Sequence, residues 1–129
     1  HAGWRGSAAG IAARAGEALG RRFGSAPTDL RVVVGPGILG RCYQVGAEAV
    51  EAFRHAGFPR DVATPDAAEG RWLLDLPAAN RVGLANAGVP ATNVICLDRC
   101  TPCVPGVFSS HRRDRGKTGR HWAFVALPR

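Results

Sequence analysis

The chain has 129 residues, 46 % of them apolar and 21 % charged, with a formal net charge of +7. That length suits one domain with a real core, and no apolar run approaches the roughly 20 residues that a membrane helix needs. The opening His1-Ala2-Gly3-Trp4-Arg5-Gly6 lacks the basic-then-apolar order of a secretion signal, so a cytoplasmic location is expected.

Residues 7–23 predict a helix with Ile11, Ala15, Leu19 and Phe23 on one face, although Gly10, Gly16 and Gly20 lower its intrinsic propensity. Residues 24–27 carry stop signals. Leu30 to Val34 predicts a short buried strand, ended by Gly35-Pro36-Gly37. A second helix is expected from Gln44 to Phe53 or a little further, with Val45, Ala49 and Phe53 as its apolar stripe. Residues 57–70, rich in Pro, Gly, Asp and Ala, predict a loop. Leu73 to Ala87 predicts a third helix, with Asp75 as N-cap, Pro77 in the first turn and Gly88 as its stop. Asn93 to Leu97 predicts a strand, residues 98–120 turns, and His121 to Leu127 a closing strand. Helices and strands alternate, so the expected class is α/β or mixed α+β, within a single domain over residues 1–129.

The charge is carried almost wholly by arginine, with Lys117 the only lysine, and the isoelectric point is about 10.6. The arginines are spread along the chain, as a compositional bias would leave them; only Arg112, Arg113, Arg115, Lys117 and Arg120 form a tight group. Three of the four cysteines (Cys96, Cys100, Cys103) crowd into eight residues. With no secretory feature, reduced thiols are expected. The sequence contains no Met, so it is expected to be a processed product or a portion of a longer protein.

Gly35-Pro36-Gly37-Ile38-Leu39-Gly40 matches G-x-G-x-x-G after a strand, but a dinucleotide fold also needs an acidic residue ending a second strand about 20 residues on. The loop-like Phe58-Pro59-Arg60-Asp61 stands there, and Pro36 removes an N–H from the turn. A glycine turn that lets the backbone approach a ligand or another strand fits better. Cys96-x3-Cys100-x2-Cys103 has the spacing of a radical-enzyme iron–sulfur site, in a chain too short for the barrel such chemistry uses. Cys100, Cys103, His111 and His121 fit no standard zinc knuckle, and three small, buried or partly buried thiols are the simpler reading. Ser109-Ser110-His111-Arg112-Arg113-Asp114 is either a solvated basic loop or a pair of fork donors for phosphate or carboxylate. His1 to Gly6 places a His and an Arg just before a helix N-terminus, whose free N–H groups favour anions.

Taken together, these segments resemble the YfiH-like family, long described as polyphenol oxidases or laccase-domain proteins and now understood as purine nucleoside phosphorylases. The resemblance begins with His1-Ala2-Gly3-Trp4-Arg5-Gly6 and continues through Gly35-Pro36-Gly37-Ile38 and Cys42-Tyr43-Gln44-Val45-Gly46. It runs on through Asp75-Leu76, Ala78-Ala79-Asn80-Arg81 and Cys100-Thr101, and through Phe108-Ser109 to Arg120. One departure is Leu39-Gly40-Arg41, where the family more often has Gly-Pro-Cys or similar before Cys42.

The resemblance implies a layered sandwich of mixed sheet and helices, here incomplete at its N-terminus. It implies one zinc held by two histidines and a cysteine, with His1 as the third ligand in chain order and the other two upstream; none of the four cysteines here matches that Cys. The implied reaction is phosphorolysis of adenosine, inosine or methylthioadenosine to free base and ribose 1-phosphate, with adenosine deamination alongside. Cationic clamps for phosphate are expected from Arg5, Arg112 and Arg113, with Gly35 at the binding turn and Arg5 and His111 as catalytic candidates. A single His cannot hold a catalytic zinc, so the isolated chain is expected to be metal-poor and inactive. The competing expectation is a basic module binding phosphate or nucleic acid through the Arg112–Arg120 loop; the expected partners are nucleosides and phosphate, with nucleic acid the lesser expectation and no membrane. A copper phenol oxidase is disfavoured, because His1, His55, His111 and His121 show no His-x-His pair.

Overall fold

Gly10 divides what the periodicity reads as one helix over residues 7–23. The computed structural model describes residues 1–126; in it Trp4–Ala8 forms α1 and Ile11–Phe23 forms α2. Gly10 sits between them at φ +74°, a left-handed conformation that costs a residue with a Cβ about 1–2 kcal/mol. The expected apolar stripe of α2 is also turned outward, with Ile11, Leu19 and Phe23 at 41 %, 42 % and 70 % exposure. Ala12, Ala13, Gly16 and Gly20 face inward instead, lining a small cavity of about 120 Å³ with Leu30, Leu84, Ala87 and Val89. A Cβ on Gly16 would come within 3.2 Å of Leu30 Cδ1. The glycines that weaken this helix in isolation are therefore what let it pack closely.

β1 (Val32–Val34) runs parallel to β5 (Val94–Cys96), with Val32, Val33 and Val34 opposite Val94, Ile95 and Cys96. The expectation of a buried strand is corrected here, because Val33 and its partner Ile95 are both 59 % exposed. The crossover between them carries two further helices and the remaining strands of the fold. Its second sheet is antiparallel, in the order β2 (Gln44–Val45), β4 (Trp72–Leu74), β3 (Ala63–Pro65). Two expected helix starts are thus corrected: Gln44 and Val45 pair with Leu73 and Trp72, and α3 begins only at Ala47, running to His55. The expected loop 57–70 likewise contributes β3.

α4 (Leu76–Asn86) starts where its cap dictates. The Asp75 carboxylate accepts from the Ala78 N–H at 2.9 Å, Pro77 fills the first turn, and Gly88 closes the C-terminal end at φ +85°. The residues before Asp75 are then free for the sheet, and the Leu74 N–H donates to the Tyr43 carbonyl at 3.0 Å. The expected stripe of Val45, Ala49 and Phe53 forms the core with Val62, Leu74, Leu76 and Ala79. Phe53 meets Phe58 edge-on, with ring centroids 5.0 Å apart.

The closing strand over His121 to Leu127 is corrected as well. Residues 121–126 form no strand, and Leu127 lies outside the described residues. A strand needs a partner ladder for its backbone groups, and Trp122, Phe124 and Val125 are instead 82 %, 85 % and 93 % exposed. No helix among the described residues is long and apolar enough to cross a membrane.

Replacement of the buried Phe53 by Ala is expected to cost about 3–5 kcal/mol in urea unfolding, through lost burial and a cavity. Asp75→Ala should cost about 1 kcal/mol through loss of the cap, and Phe23→Ala at an exposed site no more than about 0.5 kcal/mol. A Phe23→Ala loss as large as that of Phe53→Ala would refute the outward orientation of α2.

Candidate functional site

Beyond β1 and β5 the parallel pairing continues in irregular chain. The Leu97 N–H donates to the Val34 carbonyl at 2.9 Å, Gly37 N–H to Arg99 at 3.2 Å, and Thr101 N–H to Gly37 at 3.0 Å. Gly37 and Cys100 are thereby bridged. The glycine turn thus approaches another strand segment, one of the two roles expected of it. Two short 3₁₀ turns follow, Gly40–Cys42 on one side and Thr101–Cys103 on the other. Gly40 packs against Asp75, where a Cβ would stand 3.2 Å from the Asp75 Cβ.

The two turns bring Cys42, Cys100 and Cys103 together, their sulfurs all within 4.8 Å and those of Cys42 and Cys103 at 3.4 Å. Three cysteines so placed can hold a metal ion, and they are the only such group among the described residues. Local spacing groups Cys96 with Cys100 and Cys103 and leaves out Cys42, which lies 58 residues before Cys100 in the chain. Cys96 lies on β5, half-buried and outside the group. The Cys42 thiol is pushed up to about 11, first by its hydrogen bond with Cys103, then by burial and by Cys100. Burial also pushes Cys100 up, but the Leu39 N–H and hydrogen bonds with Cys103 and Cys42 outweigh it, and the net direction is down.

The two adjacent arginines of the Ser109–Asp114 loop, though exposed, reach back onto neighbouring backbone. Arg112 stacks 5.0 Å from the Tyr43 ring and donates from Nη1 to the Gln44 carbonyl at 2.8 Å. Arg113 donates from Nη1 to Thr101 at 3.1 Å and from Nη2 to Phe108 at 3.0 Å; Nε and Nη2 hold Asp114 at 2.7 and 2.9 Å. Ser110 N–H donates to the same carboxylate at 3.2 Å. His111 is exposed beside Gly116, while the His121 ring accepts from the Ser109 N–H at 2.9 Å and stacks edge-on with Phe108.

At the N-terminus a buried polar relay sets the geometry. Asn80 Nδ2 donates to Ser7 Oγ at 3.0 Å and to the Leu76 carbonyl at 2.9 Å, and Ser7 Oγ donates to the Ala2 carbonyl at 3.2 Å. The His1 imidazole folds over Gly3, where a Cβ would stand 2.8 Å from Nε2. Arg5 lies over the Trp4 ring at 4.3 Å. Tyr43 is the meeting point: burial raises its phenol, and the charges of Arg112 and Arg5 pull it back. The structure therefore seats Arg112 on Tyr43, with the Arg5 charge acting on the same phenol, at a residue to which the motifs assign no role. Gly35 is exposed at the end of β1. An open groove of about 300 Å³ lined by Arg41, Asp75, Arg81, Cys96 and Asp98 holds none of the expected site residues.

The family model described as multi-copper polyphenol oxidoreductase laccase matches residues 1–128. The chain belongs to this family. It is similar to the purine nucleoside phosphorylase YlmD of Geobacillus stearothermophilus, with 42 % identity over 127 residues, covering 97 % of this chain and 46 % of that protein. It is also similar to the adenosine deaminase RL5 of an unknown prokaryotic organism, at 40 % over 121 residues, 93 % of this chain and 46 % of RL5. Among solved structures it matches the Bacillus licheniformis hypothetical protein YfiH with a TM-score of 0.85 and 42 % identity, over 92 % of this chain and 45 % of that one. The resemblance read from the motifs and the mixed α/β fold both hold. The chain spans about half the length of the curated relatives it matches.

In this laccase-family chain the Arg113–Asp114 pair yields an acid-side expectation. The Arg113 guanidinium, bonded to both carboxylate oxygens, holds Asp114 below the ordinary carboxylate range against some burial, with the Ser110 N–H adding to it. A depressed folded value means that the contribution to stability is whole above the unfolded value of about 3.9. It fades as pH falls through the lower folded value. Amide shifts of Ser110 and Asp114 should therefore hold steady down to about pH 4 and move below it. Asp114→Asn should abolish that transition; its persistence in the variant would refute the assignment.

Proposed function

We propose that this chain is one part of a larger single domain that acts as a zinc-dependent purine nucleoside phosphorylase with an adenosine deaminase side activity, in the cytoplasm, where thiols stay reduced. Two relatives bear those two activities in their names, each matched over 46 % of its length. The open Val33–Ile95 face supports the larger domain, since parallel strands are normally covered on both faces.

The observation that carries the reading is the stacking of Arg112 on Tyr43, whose phenol also feels the charge of Arg5 from the start of the chain. In phosphorolysis the C1′–N bond of the nucleoside breaks, a phosphate oxygen bonds to C1′, and the base leaves with a proton. A cation stacked on an aromatic wall, with a second charge acting on that wall, suits phosphate on one side and a flat base on the other. We assign Arg5 and Arg112 to phosphate, with Gly35 at the rim, and His111, exposed on the same loop as Arg112, to proton transfer with the leaving base. Arg113, whose donors are committed to Thr101, Phe108 and Asp114, positions that loop.

The donor set present supplies one imidazole, His1, free of bulk at Gly3. We assign it as one zinc ligand, the other two lying in the part of the relatives' length that this chain does not span. When bound, zinc supplies Lewis acidity at the reacting centre. The 129 residues alone are then expected to show no phosphorolysis.

The test is a chimera in which this chain replaces the matched segment of the Geobacillus phosphorylase. Phosphate-dependent release of hypoxanthine from inosine is expected, with Arg112→Ala raising the KM for phosphate about 10-fold, roughly one charge-assisted hydrogen bond. His1→Ala should lower both zinc content and turnover. A folded chimera whose turnover ignores His1→Ala would overturn the reading.

A further inference from the structure

We infer that Cys42, Cys100 and Cys103 form a second metal site, separate from His1, that takes one thiophilic d¹⁰ cation of the Zn(II) or Cu(I) class. The three sulfurs lie within 4.8 Å of one another, those of Cys42 and Cys103 at 3.4 Å; bonds of about 2.3 Å to one ion set tetrahedral sulfurs roughly 3.8 Å apart, a spacing that small side-chain shifts reach from here. Thiolate-only donor sets select such soft ions over magnesium, calcium or manganese.

The surroundings fit a ligand set. Two separate 3₁₀ turns present the sulfurs, and the Gly37–Cys100 bridge ties the turns together. Cys100 is 2 % exposed, and the buried shell around it limits solvent access to its sulfur. Cys103 is exposed, which gives an ion a way in, and Cys42 lies between the two in burial. No fourth His, Cys, Asp or Glu joins them among the described residues. A three-coordinate ion would need none, and Zn(II) would complete its shell with water. Binding exchanges thiol protons for metal–sulfur bonds, with no change in oxidation state.

The test uses the whole 129-residue chain, reduced and free of oxygen, titrated with Zn(II) or Cu(I) against a competing chromophoric chelator. One ion per chain is expected in at least one arm, with proton release, and the preferred arm identifies the ion. Cys103→Ser, at an exposed position, should weaken binding by more than about 100-fold, since outer-shell losses alone cost about 10–100-fold. Cys96→Ser and His1→Ala should leave it unchanged, which separates this site from the zinc assigned to His1. Loss on His1→Ala, or equal affinity in Cys103→Ser and the parent chain, would overturn the inference. So would a reduced, folded chain that binds neither ion and only forms a Cys42–Cys103 disulfide on oxidation.

Discussion

The Gly37–Cys100 bridge is the constraint on which both sites depend. Backbone hydrogen bonds carry the β1–β5 ladder three steps past its regular end, from Leu97–Val34 to Thr101–Gly37. Because the pairing is parallel, segments separated by some 60 residues leave it in the same direction. The 35–46 and 97–114 stretches therefore run side by side. The cysteine group, the stacking of Arg112 on Tyr43 and the seat of Arg113 on Thr101 all lie along that seam.

A second constraint holds the N-terminus to the same body. Asn80 is buried, and a buried amide without partners costs about 1–3 kcal/mol. Its donors are satisfied by Ser7 and Leu76, and Ser7 in turn holds Ala2. Satisfying one amide on α4 thus fixes the start of the chain, and with it the approach of His1 and Arg5. The same arrangement explains the break at Gly10. α1 follows the relay to Asn80, while α2 packs its small residues on α4 and Leu30.

Much of the framework was legible in the sequence. The Asp75 cap, the Gly88 stop, the Val45–Ala49–Phe53 stripe and the two strands at 32–34 and 94–96 follow from local chemistry and periodicity. Errors arose where tertiary packing overrode a local pattern. On α2, close approach through Ala12, Gly16 and Gly20 won over the stripe of Ile11, Leu19 and Phe23. At Gln44 and Leu73, strand pairing claims residues with helical periodicity. The motifs located the site segments, but not how they meet. Cys42 and Tyr43 read as parts of one motif, and nothing local says that the turn from Cys100 to Cys103 closes on one and Arg112 on the other. That information resides in the register of the parallel pair.

Amide hydrogen exchange at Gly37 and Thr101 tests this dependence most directly. Both N–H groups lie beyond the regular β1–β5 ladder, Gly37 at an isolated bridge and Thr101 at the start of a 3₁₀ turn, and amides in such irregular chain ordinarily exchange fast. If the extended ladder holds the seam, the two amides should be protected together with that of Leu97 and open with it as denaturant is added. Rapid exchange at Gly37 and Thr101 while Leu97 remains protected would contradict the account. The seam would then be a loose contact, and the meeting of Tyr43, Arg112 and the three cysteines would need another cause.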